Sequence, residues 1–312
     1  MQQDVKWYHK LGLEMLWYAC RAFAILPRWI RYGMVKPFLG LLLWCVRYRR
    51  KVIFGNLQHS FPERTGREIG NLAWKYYMFL GEVIVDCISM AGADEKHKDE
   101  AVLWINAGEM HQALDGRDWI ATGAHYGCWE YLPLWSRQQS DSVFMSVYHP
   151  LKSVMFELFF QRLRAQSPNI VQVPMKQTVS YYLRHRSQTS GMVLGLLSDQ
   201  SPVLRADSKW IDFLHQPTVF IDGAEMLAVK FHIPVYFAHT QMVAPGRYIV
   251  RCDEIYNGED KVEPGEITQR YARRLEAMIK DCPWLWMWSH NRWLHTPEKQ
   301  ARRFGKTTYQ GI

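Results

Sequence analysis

His125 and Glu130 close the stretch Trp119-Ile-Ala-Thr-Gly-Ala-His-Tyr-Gly-Cys-Trp-Glu130. A histidine held by a carboxylate has one ring nitrogen fixed as a donor, which leaves the other as a general base. Five helical residues turn the chain by roughly 500°, so these two side chains cannot share one face of a helix. They meet only if His125 sits in the turn before a helix and bends back over its first turn. The pattern allows this: Trp119 to Thr122 reads as a buried strand and Tyr126 to Gln138 as the start of a helix. Gly123 and Gly127 permit a sharp turn and leave room for a substrate. The expected chemistry is proton transfer by His125, with Glu130 orienting it and stabilising its cation.

Other residue types with chemical capacity are scattered along the chain. Ser146-Val-Tyr-His-Pro150 ends a strand, and Arg162 and Arg164 close the helix that follows. An arginine there holds a phosphate, stabilises a developing oxyanion or simply lies on the surface. Asp199, in Leu196-Leu-Ser-Asp-Gln-Ser-Pro202, stands at the carboxyl end of an apolar strand, where α/β folds place their sites; as an Asx turn it would only cap the loop. Four Trp fall within Trp284-Leu-Trp-Met-Trp-Ser-His-Asn-Arg-Trp293, which suits a wall facing acyl chains or the membrane interface, or core packing beside the sheet. Cys128 lies three residues after His125, but no third group completes a Cys–His nucleophile. The 12 His show no HExxH or paired spacing, so no metal site is expected. Gly-rich phosphate loops are absent. A non-catalytic membrane-binding protein would have no need of the His125/Glu130 pair.

The elements that must position these groups alternate from Val102 onward. Strands are expected at Trp119–Thr122, Ser142–Tyr148, Ile170–Val173, Met192–Leu197, Pro234–Thr240 and Tyr248–Cys252. Helices are expected at Gly127–Gln138, Ser153–Ala165, Gln177–His185, Ile221–Phe231 and Glu266–Lys280. Upstream, Thr65–Met90 carries an apolar stripe at helical spacing, and Asp94–Glu100 reads as a short charged connection. The expected fold class is α/β, a sandwich around a largely parallel sheet, with N-terminal amphipathic membrane-associated helices. Residues 1–51 form that appendage and residues 52–312 the α/β domain.

Charge separates the same two parts. The chain of 312 residues has a net charge of +8. Residues 1–51 hold ten Lys/Arg and two acids, 10 − 2 = +8, so the remainder is neutral. A basic segment threaded with aromatics suits nucleic acid or an anionic membrane surface. The apolar runs Leu11–Pro27 and Val35–Val46 favour the membrane and argue against nucleic acid. Neither run reaches the ~20 apolar residues of a span, and no signal-peptide cleavage pattern is present. Six Cys without CxxC spacing read as reduced residues of a cytosol-facing protein.

The His-x4-Glu spacing of His125 and Glu130 resembles the signature of the glycerolipid and lipid A acyltransferase superfamily. Further stretches resemble its lipid A late acyltransferase branch, the lauroyl and myristoyl transferases: Asn56 with Phe61-Pro62-Glu63, Asp199-Gln200, Ile233-Pro-Val235 and the closing Trp284–Trp293 run. Phe213-Leu-His-Gln-Pro217 resembles the family's Phe-x-Gly-x-Pro loop, with His215 in place of the glycine. The resemblance covers about residues 10 to 297. It implies transfer of an acyl chain from acyl carrier protein, or acyl-CoA, to a hydroxyl of a membrane-bound lipid A precursor, with no cofactor beyond the thioester. It selects Arg164, about fourteen residues after the Tyr-x-Pro turn, and adds Asp199, Gln200 and Arg292 as supporting or substrate-binding residues. In that reading Arg292 binds an acceptor phosphate or stacks on Trp. The implied location is the cytoplasmic face of a bacterial inner membrane. A lysophospholipid or aminolipid acceptor, or thioester hydrolysis, would use the same machinery.

Overall fold

The computed structural model describes residues 5–135, 142–167, 169–186 and 191–309. Its centre is a seven-stranded sheet. In chain order the strands are β1 (Val102–Trp104), β2 (Trp119–Gly123), β3 (Val143–Tyr148), β4 (Ile170–Pro174), β5 (Met192–Leu197), β8 (Val235–Ala244) and β9 (Arg247–Tyr256). They lie in the order β1-β9-β8-β2-β5-β3-β4. All neighbours run parallel except β8 and β9, which form an antiparallel hairpin at one side. Every residue of β2 is buried, as expected of a central parallel strand covered on both faces. Because β2 and β5 are neighbours in parallel register, Gly123↔Leu197, the loops that follow them emerge side by side at one end of the sheet.

A second, two-stranded ribbon pairs β6 (Trp210–Phe213) with β7 (Gln216–Val219). Leu214 and His215 form its turn, with φ of 50° and 61°. Two successive positive φ values are the requirement of a type I′ turn. His215 therefore adopts the left-handed conformation usual for glycine, and the departure from the Phe-x-Gly-x-Pro pattern leaves a tight hairpin in place.

Helices cover the sheet. The 25-residue helix Gly66–Met90 starts at a capping box, with Thr65 N–H donating to Glu68 Oε2 at 2.8 Å and Glu68 N–H to Thr65 Oγ1 at 3.4 Å. Before it come Trp7–Ile25 and a segment that runs from Arg28–Ile30 through a π-helical turn (Arg31–Val35) into Lys36–Cys45. A Cβ on Gly81 would stand 2.4 Å from the Lys36 carbonyl, so only glycine lets these helices approach so closely. Trp7–Ile25 buries Trp17 and Cys20, with Trp17 edge-on to Phe159. Its other side, and that of the following segment, exposes Trp7, Met15, Ile25, Trp29 and Phe38, the most open at 83% for Ile25. Among the described residues no helix is long and apolar enough to cross a membrane.

Three expectations change. Tyr126–Gln138 is not a regular helix from its start: Gly127 has φ +62°, and a 3-10 helix, Trp129–Leu134, follows with Pro133 inside it. Proline supplies no N–H for an α-helical ladder there; residues 136–138 of this expectation lie outside the described residues. Asp94–Glu100 is more than a connection. Asp94 Oδ1 accepts from His97 N–H at 2.8 Å and caps the helix Glu95–Ala101, which leads directly into β1. The strands β1, β6 and β7 carried too little alternation to be expected.

A buried acidic pair fastens the N-terminal segment to the body. Glu82 meets Lys36 and accepts from Gly246 N–H, while Asp86 accepts from Tyr32 Oη at 2.6 Å and Tyr248 Oη at 3.2 Å. Burial pushes the Asp86 carboxyl up to about 7, with neighbouring Glu82 adding to the rise and the tyrosine hydroxyls opposing it. A folded-state value above the unfolded ~3.9 means that this group's contribution is complete at low pH and is lost as pH rises through about 7. Asp86→Asn should therefore weaken the fall in melting temperature between pH 5 and 8. Parallel slopes for parent and variant in thermal melts would contradict this.

Candidate active site

His125 occupies the loop immediately after β2, and the tail of the chain fixes that loop. His125 C=O accepts from Met287 N–H at 3.1 Å, and Gly127 N–H donates to Leu285 C=O at 3.0 Å. These bonds make a short antiparallel bridge between Tyr126 and Trp286. A Cβ on Gly127 would lie 2.8 Å from the Tyr248 ring, so glycine serves both the positive φ and the close approach.

The loop after β5 brings Asp199 against His125. Asp199 Oδ1 lies 2.7 Å from His125 Nδ1, and Oδ2 accepts the His125 backbone N–H at 3.0 Å. Trp286 Nε1–H donates to the same Oδ2 at 2.8 Å. Burial raises the carboxyl's pKa, but the His125 charge and these donors outweigh it, so Asp199 stays below the usual carboxylate range. A carboxylate on Nδ1 requires the proton there and leaves the lone pair on Nε2. Nε2 lies 3.2 Å from Gln200 Nε2, whose amide N–H suits that lone pair. The ring is 15% exposed and edge-on to Trp129 at 5.2 Å, so Nε2 is a partly accessible base.

Glu130 does not fill the role its spacing suggested. Both its carboxylate oxygens accept from Arg164, Nε and Nη2 each at 2.8 Å. The pair is bidentate and nearly buried, with side-chain exposures of 7% for Glu130 and 15% for Arg164. Burial lowers the guanidinium's pKa, and Glu130 more than restores it. The 3-10 helix aims Glu130 toward the end of Val154–Arg164, whereas Asp199 reaches His125 across the β2–β5 pair. The expected His125–Glu130 pairing is thus replaced by two pairs, His125–Asp199 and Glu130–Arg164.

The tail is core structure around this site. Trp288 is fully buried and Trp286 nearly so, and Trp293 Nε1 donates to Thr218 Oγ1 at 2.8 Å. For Trp286 and Trp288 the reading as an outward wall gives way to packing. Arg292 is also buried, 2% exposed, with its guanidinium 4.4 Å from the Phe220 ring centre. Asn56 explains the first family-like stretch: its Nδ2 donates to the carbonyls of Trp288 and His290, both at 2.9 Å. The sequence singles out Asn56 without a role and leaves Trp286 either on an outward apolar wall or in core packing beside the sheet, with no part for its N–H. An indole N–H opposite a buried carboxylate becomes visible only once the chain is folded.

These pairings separate experimentally. Glu130→Gln leaves a largely buried guanidinium without its anion, which should destabilise the fold by about 3 kcal/mol. Adding Arg164→Met should return part of that loss. Asp199→Asn should act mainly on turnover. Chemical denaturation of the three variants checks this, and a larger stability loss for Asp199→Asn than for Glu130→Gln would contradict the assignment.

No curated protein matches the chain. A family profile does, over residues 6–295, and it is described as bacterial lipid A biosynthesis acyltransferase. That match includes both pairs, Asn56 and the whole Trp-rich tail. With the match running through nearly the entire chain and the site, the protein belongs to the bacterial lipid A biosynthesis acyltransferase family.

Proposed function

We propose that the protein transfers a fatty acyl chain from the thioester of an acyl carrier protein to a hydroxyl of a lipid A precursor, with His125 as general base and Asp199 as its partner. The observation that carries this reading is the contact of His125 Nδ1 with Asp199, which leaves the Nε2 lone pair, met only by the Gln200 amide, to accept a proton. The acceptor hydroxyl gives its proton to Nε2, and its oxygen bonds to the thioester carbonyl carbon. The imidazolium formed is held by the Asp199 carboxylate. As the tetrahedral intermediate collapses, the carbon–sulfur bond breaks and the thiolate takes the proton from Nε2. Gln200 must leave Nε2 for the acceptor to enter, after which its amide is available to an oxyanion. The Glu130–Arg164 pair positions the segment on which His125 stands, and the donor needs no further cofactor.

The same reading puts the enzyme on the cytoplasmic face of the inner membrane, held by its N-terminal helices. Support comes from exposed Trp7, Ile25, Trp29 and Phe38 on a segment that contains the chain's entire charge excess. Apolar side chains lodge in the headgroup boundary, and each nearby Lys or Arg adds about 1 kcal/mol on an anionic surface.

Removing the base should cost at least ~10²-fold in turnover, so His125→Ala should lose acyl transfer in a protein that still folds. Thiol release from acyl-carrier-protein thioesters, with and without a lipid acceptor, separates transfer from hydrolysis. Release that is equal without acceptor and yields free fatty acid would replace this reading with a thioesterase. Thiol release that depends on a lysophospholipid and ignores lipid A precursors would change the acceptor. For the membrane surface, joint replacement of Trp7, Trp29 and Phe38 by Ser should weaken sedimentation with anionic vesicles by at least about tenfold. Unchanged sedimentation would place the contact elsewhere.

A further inference from the structure

The helix Glu266–Asp281 buries a stripe in which Tyr271 alone carries a hydroxyl among apolar side chains. Tyr271 is buried, its ring edge-on to Phe220 at 5.9 Å and to Phe237 at 5.7 Å. A phenylalanine would make the same ring contacts and leave no hydroxyl to desolvate, so the hydroxyl has to be offset by the bond it makes. Tyr271 Oη–H donates to Gly123 C=O at 2.8 Å. Burial above all, with the Asp199 charge adding to it and Arg292 opposing, pushes the phenol well above its usual range, so it keeps the proton it donates.

The carbonyl it reaches stands where the two site loops part. Gly123 ends β2, two residues before His125, and Ser198 follows β5, one residue before Asp199. Ser198 N–H donates to the same Gly123 oxygen, at a longer 3.3 Å. The ladder between β2 and β5 ends at Gly123↔Leu197, so past this point no strand pairing spaces the loops. The same helix also meets the far side of His125. Tyr126 Oη–H is shared between the carbonyls of Met278 and Cys282, each at 3.1 Å. Met278 lies seven residues beyond Tyr271, two helical turns, and so on the same face. One helix face thus holds the chain on both sides of the base.

We propose that Tyr271 is a positioning residue whose hydroxyl, by holding the Gly123 carbonyl, sets the separation of the two loops that brings His125 Nδ1 onto Asp199. Without the hydroxyl, only the longer Ser198 bond ties the loops at their root, and the 2.7 Å contact between Nδ1 and Asp199 Oδ1 lengthens. Tyr271 touches no reacting atom in this account and acts through the pair. Its kinetic consequence rests on the acyltransferase reading; its effect on the Nδ1–Asp199 contact does not.

The test compares Tyr271→Phe with Tyr182→Phe in the full-length protein. Tyr182 is a second buried tyrosine whose hydroxyl donates to Asp118 at 2.7 Å, before the start of β2 and so at the opposite end of that strand from His125. Both variants keep the ring and lose one buried hydrogen bond, so both should melt lower than the parent. Only Tyr271→Phe should move the low-field Nδ1–H resonance of His125 upfield in the substrate-free, histidine-labelled protein. Only Tyr271→Phe should lower kcat for acyl transfer, by about tenfold, short of the ~10²-fold that an ångström of misplacement costs, with KM for donor and acceptor unchanged. An unchanged resonance in Tyr271→Phe would overturn the proposal, as would an equal shift in Tyr182→Phe, which would make the effect a general loosening of the fold. A Tyr271→Phe chain that does not fold would make the hydroxyl a requirement of folding and overturn it too. A resonance that shifts in Tyr271→Phe, in a protein whose parent transfers no acyl chain, would support the positioning role and reject the acyltransferase reading.

Discussion

One buried carboxylate holds the site together. Asp199 accepts the His125 main-chain N–H, faces the His125 ring nitrogen and accepts the Trp286 indole N–H. Those three partners come from the loop after β2 and from the tail, so this single group joins three distant stretches of chain. A carboxylate that is 3% exposed tolerates ionisation only where such donors surround it. The requirement explains why the Trp-rich tail folds inward: its indole is needed as a donor, and Asn56 clips the following carbonyls in place. The parallel pairing of β2 with β5 is the scaffold for all of this, because it sets the loops that carry His125 and Asp199 side by side at the carboxyl ends of the strands.

Much of this could be read from the residues before any coordinates. β5 has the bounds its apolar run implied, Met192–Leu197, and β2, β3 and β4 differ by a residue or so at their ends. The stripe from Ile69 to Ile84 became the long helix. His125, Glu130, Arg164, Asp199, Gln200 and Arg292 were all singled out. What could not be read was the pairing. A five-residue offset looks like proximity, yet the 3-10 turn after Gly127 directs Glu130 to Arg164, 34 residues away. The true partner of His125 is 74 residues distant and adjacent only through a strand pair. Sequence spacing measures local geometry, and a parallel sheet makes its decisive contacts nonlocally. The short strands β1, β6 and β7 were missed for a related reason: three or four residues carry little periodicity.

The N-terminal segment shows a second physical pattern. Its helices turn some apolar side chains, Trp17 and Cys20 among them, into the core and leave many others exposed, while the buried Glu82 and Asp86 add polar contacts to Lys36 and Tyr32. The exposed apolar side chains and the charge excess fall on the same stretch of chain, and the proposed lipid contact rests on that coincidence.

The central claim is that Asp199, and not Glu130, holds the proton on His125 Nδ1. Proton NMR of the histidine-labelled protein reports that bond directly as a low-field Nδ1–H resonance. The account predicts that the resonance survives in Glu130→Gln and disappears in Asp199→Asn. Loss of the resonance in Glu130→Gln with its retention in Asp199→Asn would contradict it.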